Sequence, residues 1–158
     1  GVQHPANWHI WPKEHKESLG LVEIIPDSPP DSRLYKWLQN SDGTITKTAK
    51  ALDDTGSGDD IVRGVKYNLK QEVKSQQGSL LSQTDWYIVR KADKGTVIPN
   101  NIQTWRDAIR TKATEMETAI DNAADTDAVA ALFLTYTLNE DGSQTKSGIL
   151  YDWPELGE

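Results

Sequence analysis

The densest chemistry in the sequence lies in Asp53-Asp54-Thr55-Gly56-Ser57-Gly58-Asp59-Asp60. Asp-Thr-Gly can hold a carboxylate in a tight turn, and two such carboxylates brought together share one proton, so that one of them activates water. The chain has one copy, and a dimer would have to supply the second. The same stretch half-matches a calcium loop through Asp53, Thr55, Ser57 and Gly58. Its twelfth position is Gly64, where a bidentate Glu is required, so the calcium reading fails. The three histidines, His4, His9 and His15, fall within the first 15 residues. Their spacings are not the helical pairs that aim two imidazoles at one metal, and they read as surface residues. A Ser-His-Asp triad would have to reach back to them across the whole chain. There is no cysteine, hence no disulfide or thiolate metal site. No phosphate-cradling Gly-rich loop, no Gly-x-Ser-x-Gly elbow and no His-Glu-x-x-His helix occurs.

Asp54-Thr55-Gly56-Ser57 resembles the motif of aspartic proteases, and Ala51-Leu52 ahead of it adds to the likeness. Its context points elsewhere. That family needs apolar strands on both sides and a later apolar-apolar-Gly segment, whereas here Asp53, Gly58, Asp59 and Asp60 crowd the turn. Four acids so close repel one another and stay solvated. Residues 53–58 therefore read as a flexible hinge, and Asp59 or Asp60 as the cap of the helix that follows. Aspartic protease chemistry through Asp54-Thr55-Gly56 is kept only as a remote alternative.

The elements around this hinge differ on its two sides. Ahead of it, Lys13 to Leu19 reads as one or two helical turns ended by Gly20, and Leu21 to Ile25 as a short β-prone run stopped by Pro26. Leu34 to Leu38 and Thr44 to Thr48 flank Asn40-Ser41-Asp42-Gly43; Asp-Gly tolerates the positive φ of a tight hairpin, so this is a predicted β-hairpin. Behind the hinge, Ile61, Val65, Leu69 and Val73 recur every fourth residue, with Leu80 continuing the row, which predicts a helix from about residue 59 to about 83. Gly78 within it offers another helix room to approach. Lys66, Lys70 and Lys74 form an adjacent basic row, read as a solvated face or as docking against the acidic C-terminal tail or an acidic partner. Residues 84–99 read as an ordered loop pinned by Trp86. Ile102, Trp105, Ile109, Ala113, Met116, Ile120 and Ala123 then give the clearest periodicity in the chain, a narrow seam suited to antiparallel packing on the first helix. Asp125-Thr126-Asp127 caps a short third helix. Thr135 to Leu138, the turn Asn139-Glu140-Asp141-Gly142 and a return strand at 148–153 make a second hairpin.

The 158 residues carry a net charge of −7, and residues 125–158 alone hold one basic and seven acidic side chains. An acidic chain whose aromatics do not interleave with a basic patch is a poor match for nucleic acid. No apolar run approaches the ~18 residues of a membrane span. Six tryptophans against one phenylalanine favour cores and interfaces.

One pattern has a counterpart in a known family. Leu80, Leu81, Thr84, Asp85 and Trp86 are followed by a loop, then by Pro99, Trp105, Arg106, Ala108, Ile109 and Arg110, and the chain closes near Trp153-Pro154. This is similar to small tailed-bacteriophage proteins: tail assembly chaperones, tail-fibre assembly proteins and uncharacterised virion proteins of marine phages. Their pattern is two leucines, Thr or Ser-Asp-Trp, a variable loop, Pro, an aromatic, Arg, a small residue, an apolar residue and Arg. His4-Pro5-Ala6-Asn7-Trp8, Leu19-Gly20-Leu21 and the strand with Tyr35 and Trp37 match the marine relatives at the front.

The fold class expected is α+β: a small N-terminal β-rich module (1–52), a hinge (53–58), and a helical hairpin with a third short helix and a C-terminal β-hairpin (59–158). The resemblance implies a non-enzymatic virion structural protein, tail- or fibre-associated, or else a non-virion tail or tail-fibre assembly chaperone. It implies other phage structural proteins as partners, self-association being compatible with it. It needs no cofactor, metal, nucleic acid or membrane, and it places the chain in the virion, or in the host cytoplasm during assembly. The residues expected to serve as structural staples or partner contacts are Leu80, Leu81, Asp85, Trp86, Pro99, Trp105, Arg106, Arg110 and Trp153. Within that set Asp85 is expected to cap a helix or to bind Arg106 or Arg110, which lie one turn apart, and Trp86 to plug the hairpin core.

Overall fold

The computed structural model describes residues 10–21 and 27–157. The expected strand at 21–25, His4, His9 and the first nine residues lie outside them, Leu21 excepted. The fold is α+β, with an antiparallel strand pair near each end and helices between. The chain divides into two compact units, Gly1–Thr48 and Ala49–Glu158, so the expected hinge at 53–58 falls inside the second unit.

In the first unit, helix α1 (Lys13–Ser18) starts after Pro12, whose carbonyl accepts from the N–H groups of His15 and Lys16, and ends at Gly20 with φ +72°. Strands β1 (Tyr35–Gln39) and β2 (Ile45–Ala49) pair across the predicted turn. The second unit carries a hairpin built on the same turn chemistry. Strands β3 (Thr135–Leu138) and β4 (Gln144–Ser147) pair antiparallel, with Leu138 opposite Gln144 and Thr135 opposite Ser147. Both turns read Asn-x-Asp-Gly-Ser/Thr-x-Thr-Lys, at Asn40 and Asn139. In each, the Gly takes a positive φ (+87° and +81°) and the Asn N–H donates to the Thr44 or Ser143 carbonyl at 2.8 Å. In each, the Asp carboxylate accepts from the hydroxyl and the backbone N–H two residues on. The hydroxyl contact, then the N–H contact, holds both Asp42 and Asp141 below the ordinary carboxylate range.

The return strand therefore differs from expectation. It is Gln144–Ser147 rather than 148–153, because a tight Asp-Gly turn pairs the residues next to it and so sets the register. The apolar run beyond the strand docks instead. Gly148 (φ +85°) passes so close to Phe133 that an added Cβ would lie 2.1 Å from its carbonyl oxygen, and Ile149 and Leu150 donate to Leu132 O at 2.8 Å.

The body of the second unit is helix α2 (Val65–Ser82) against helix α4 (Asn100–Asn122). All seven expected seam residues of the later helix, Ile102 through Ala123, are buried, as are Val65, Leu69 and Val73 of α2, the helix that packs on α4. The lysine row fixes the antiparallel sense. Lys70 Nζ lies 2.7 Å from Asp121, Lys66 donates to the Asp121 carbonyl at 3.1 Å, and Lys74 approaches Glu117 at 4.0 Å. The start of α2 thus lies beside the end of α4, and the basic row docks on α4 rather than on solvent or the acidic C-terminus. Asp121 raises the Lys70 pKa.

Helix α2 starts later than residue 59, and neither Asp59 nor Asp60 caps it. Gly58–Asp60 form a single 3-10 turn, Thr55 and Val62 make an isolated bridge, and Gly64 precedes the first helical residue. Two features set this start. The carbonyls of Ala51 and Leu52 accept from Val65 and Lys66, satisfying helix N–H groups that lack intrahelical partners. Gly64 also passes within 2.4 Å, measured from an ideal Cβ, of Leu52 O and the Asp53 carbonyl carbon, space that no side chain could share. Ile61 is consequently exposed and leaves the stripe. Gly78 has nothing within 4 Å of an added Cβ, so no helix approaches there.

The interval 84–99 is not a loop. Asp85–Lys94 form helix α3, closed by Gly95 at φ +68°. Helix α5 (Thr126–Ala130) has the expected cap, Asp125 accepting from Ala128 N at 2.7 Å, and buries Val129. No helix among the described residues is long and apolar enough to cross a membrane.

Candidate functional site

Asp54, the most reactive-looking acid in the sequence, is fully committed to structure. Its Oδ1 accepts from Gly64 N at 2.8 Å and its Oδ2 from Arg63 at 2.6 Å. The Gly64 N–H, then the Arg63 contact, holds its carboxyl below the ordinary value. No group of three His, Cys, Asp or Glu positioned for a metal occurs among the described residues.

Four residues of the Leu80–Arg110 pattern, Leu81, Thr84, Asp85 and Arg106, converge on one place, the turn between α2 and α3. Helix α2 ends with Leu81 O facing out of the last turn, as helix-terminal carbonyls do. Thr84 N and Thr84 Oγ1 donate to that oxygen at 3.1 and 3.2 Å, and Arg106 of α4 donates to it at 2.7 Å. The same guanidinium nitrogen donates to Thr84 Oγ1 at 2.7 Å, and its neighbour pairs with Asp85 at 2.9 Å. A cation at a helix C-terminus is favourable because the terminal carbonyls are its negative pole, and Asp85 opens α3, where the opposite pole lies. One arginine therefore ties the end of α2, the start of α3 and the first turns of α4. It is only 7% exposed, and its buried Nε has no hydrogen-bond partner among the described residues.

Beside this node is a cleft of about 190 Å³. Ile88 and Lys91 of α3 and Ile98 of the following link form one wall. Gln103, Arg106, Asp107 and Arg110, on successive turns of α4, form the other. Arg110 pairs with Asp107 at 2.9 Å.

The remaining expected residues fall as follows. Leu80 and Leu81 are half-buried, and Pro99 is exposed as the cap position of α4. Trp105 is buried and donates from Nε1 to Pro154 O at 2.9 Å. Trp153 is half-buried and donates to Gln76 at 2.7 Å, while Tyr151 bonds Glu72, so the C-terminal segment is tied to α2 and α4. Arg106 takes Asp85, as one expectation had it; Arg110 does not. Trp86 overturns its expectation. It is 50% exposed, stacked on Tyr87 with ring centroids 3.6 Å apart, and plugs nothing. Val89 (66%), Val97 (82%) and Ile88 (41%) are exposed as well, and α3 buries no residue. Lys91, Ile98, Gln103 and Asp107 have no sequence signal that joins them; only the folding of 85–94 as a helix brings the two walls together.

Comparison with known protein families, with curated proteins and with solved structures finds no match.

Proposed function

We propose that this chain is a non-enzymatic bacteriophage virion structural protein, tail- or fibre-associated, that works through protein–protein contacts. One observation carries the reading. The pattern shared with small phage proteins is spent on holding a helix, not on being touched: Leu81 O, Thr84, Asp85 and Arg106 fix α3 at both the α2 and α4 ends of the turn. What they hold out is the pattern's own Trp86 and the interval after it that varies among such proteins, which here carries Ile88 and Val89 to solvent. A fixed bracket presenting a variable apolar segment is a contact device. Aromatic and aliphatic side chains held out on a rigid frame are what interface cores are made of, and a frame that is already ordered lowers the entropic cost of association.

The runner-up is a tail or tail-fibre assembly chaperone that leaves before the particle is finished. The same bare helix supports it, since a chaperone must also cover apolar surface on its client. Mass spectrometry of purified particles decides between them. A fixed copy number per virion is expected for the structural reading. Absence from particles, with presence in the lysate during assembly, would overturn it in favour of the chaperone.

A further inference from the structure

We infer that the cleft between α3 and α4 is a receptor for a single Asp or Glu side chain of a partner protein. The inference rests on the reading that the chain acts through protein contacts, and not on whether it does so in the particle or before it. Charge is the first ground. Lys91, Arg106 and Arg110 stand against Asp107 and Asp85, so the site keeps one uncompensated positive charge in a chain whose net charge is −7. Lys91 is exposed and makes no ion pair among the described residues, and Arg106 forms part of the wall beside it.

Size and lining narrow the class. The cleft, about 190 Å³, is smaller than the ~300–1,000 Å³ of sites that enclose a small molecule or cofactor. It is suited to one side chain entering from a surface. A carboxylate restores neutrality, whereas a phosphate near −2 would leave an excess of negative charge. Gln103 can donate an amide hydrogen to the same oxygens. Ile88 and Ile98 give the acid apolar neighbours to lie on, which lowers the local dielectric and strengthens the pair.

The test uses the full chain and a displayed library of random nonapeptides, with selected peptides then measured by tryptophan fluorescence. Recovered peptides are expected to share one Asp or Glu beside an aliphatic residue. Replacing that acid by its amide, or introducing Lys91→Gln or Arg110→Gln, is expected to weaken binding tenfold or more. Arg90→Gln, on α3 but outside the cleft, is expected to leave it unchanged. Affinity should fall with added salt and with acid below about pH 4, where the peptide carboxylate protonates. Thermal unfolding of each variant checks that the fold is kept. Recovery of no peptides, of peptides lacking an acid, or of binding indifferent to Lys91 and Arg110 would overturn the inference. So would self-association of the chain that Lys91→Gln abolishes, since a second copy would then be the occupant. Particle composition is read separately, so the two proposals can fail independently.

Discussion

Helices α3 and α4 begin fifteen residues apart, at Asp85 and Asn100, and both are rich in apolar side chains, yet α4 buries its whole seam and α3 buries nothing. The difference follows from where the apolar residues sit around each axis. In α4 they recur at intervals of three and four over 23 residues, which draws one stripe along one face. In α3 they are consecutive, Trp86-Tyr87-Ile88-Val89, so each is turned about 100° from the last and together they ring the helix. A ring cannot be buried against one surface. Some of it must face water unless a second body covers it.

The largest effect should therefore come from α4. Ile109 is fully buried, and Ile109→Ala should cost roughly 2–5 kcal/mol, the lost transfer free energy plus the cavity left behind. Chemical denaturation reads it. A loss no larger than that of an exposed-site variant would mean that α4 does not pack as described. Arg106→Met comes next, at about 1–2 kcal/mol. Asp85 is exposed enough to be rehydrated, and removing a buried cation also removes its desolvation cost. The penalty is then carried by Leu81 O and Thr84 Oγ1. Hydrogen exchange localises it. Amides of residues 85–94 should exchange much faster while those of the α4 seam change little, and uniform exchange across both helices would mean that the arginine does not hold α3.

The contrast also marks how far the sequence could be read. The α4 seam was legible because a period sustained over seven residues admits one interpretation. The two turns were legible because Asp-Gly at positive φ is a local decision, and the Asp125 cap for the same reason. Whatever depended on meeting something distant was not. Ile149 to Trp153 looks more strand-like than Gln144–Ser147, yet the turn sets the register and the apolar run docks instead. Asp59 and Asp60 look like caps, yet helix α2 begins six residues after Asp59. Its start is set by the Ala51 and Leu52 carbonyls and by the tight passage of Gly64, whose N–H also donates to Asp54, ten positions away. A tryptophan after a helix usually finds a core, and nothing local to Trp86 says that Arg106 will fix a helix there that leaves the indole half exposed. The lysine row was legible as a feature but not in its use, since Asp121 lies 51 residues from Lys70.

Comparing the parent with Asp54→Asn across an acid series reads the α2 start by itself, since every other carboxylate is common to both chains. Asp54 has its folded pKa lowered, first by the Gly64 N–H and then by Arg63. A group depressed in the folded state contributes stability that is present in full above its unfolded value, about 3.9, and lost as pH falls through the folded one. The stability gap between the parent and Asp54→Asn should therefore be constant from neutral pH down to about pH 4 and close below it. A gap that persisted unchanged in strong acid would remove Asp54 from the account of how α2 begins. Denaturation midpoints from pH 2 to 7 supply the measurement.

The smallest effect is expected at the largest side chain. Trp86→Ala removes an indole, a change that costs about 3–5 kcal/mol in a core. Here it should leave stability within about 0.5 kcal/mol of the parent, as exposed positions do. Quenching by acrylamide gives the companion reading, because Trp105 is buried and Trp86 is half open to water. The fluorescence lost in Trp86→Ala should be the readily quenched part, and that lost in Trp105→Phe the protected part. If Trp86→Ala instead cost several kcal/mol, the indole would be facing a core after all. Helix α3 would then be a second α4 rather than its opposite, and the case for a presented contact surface would go with it.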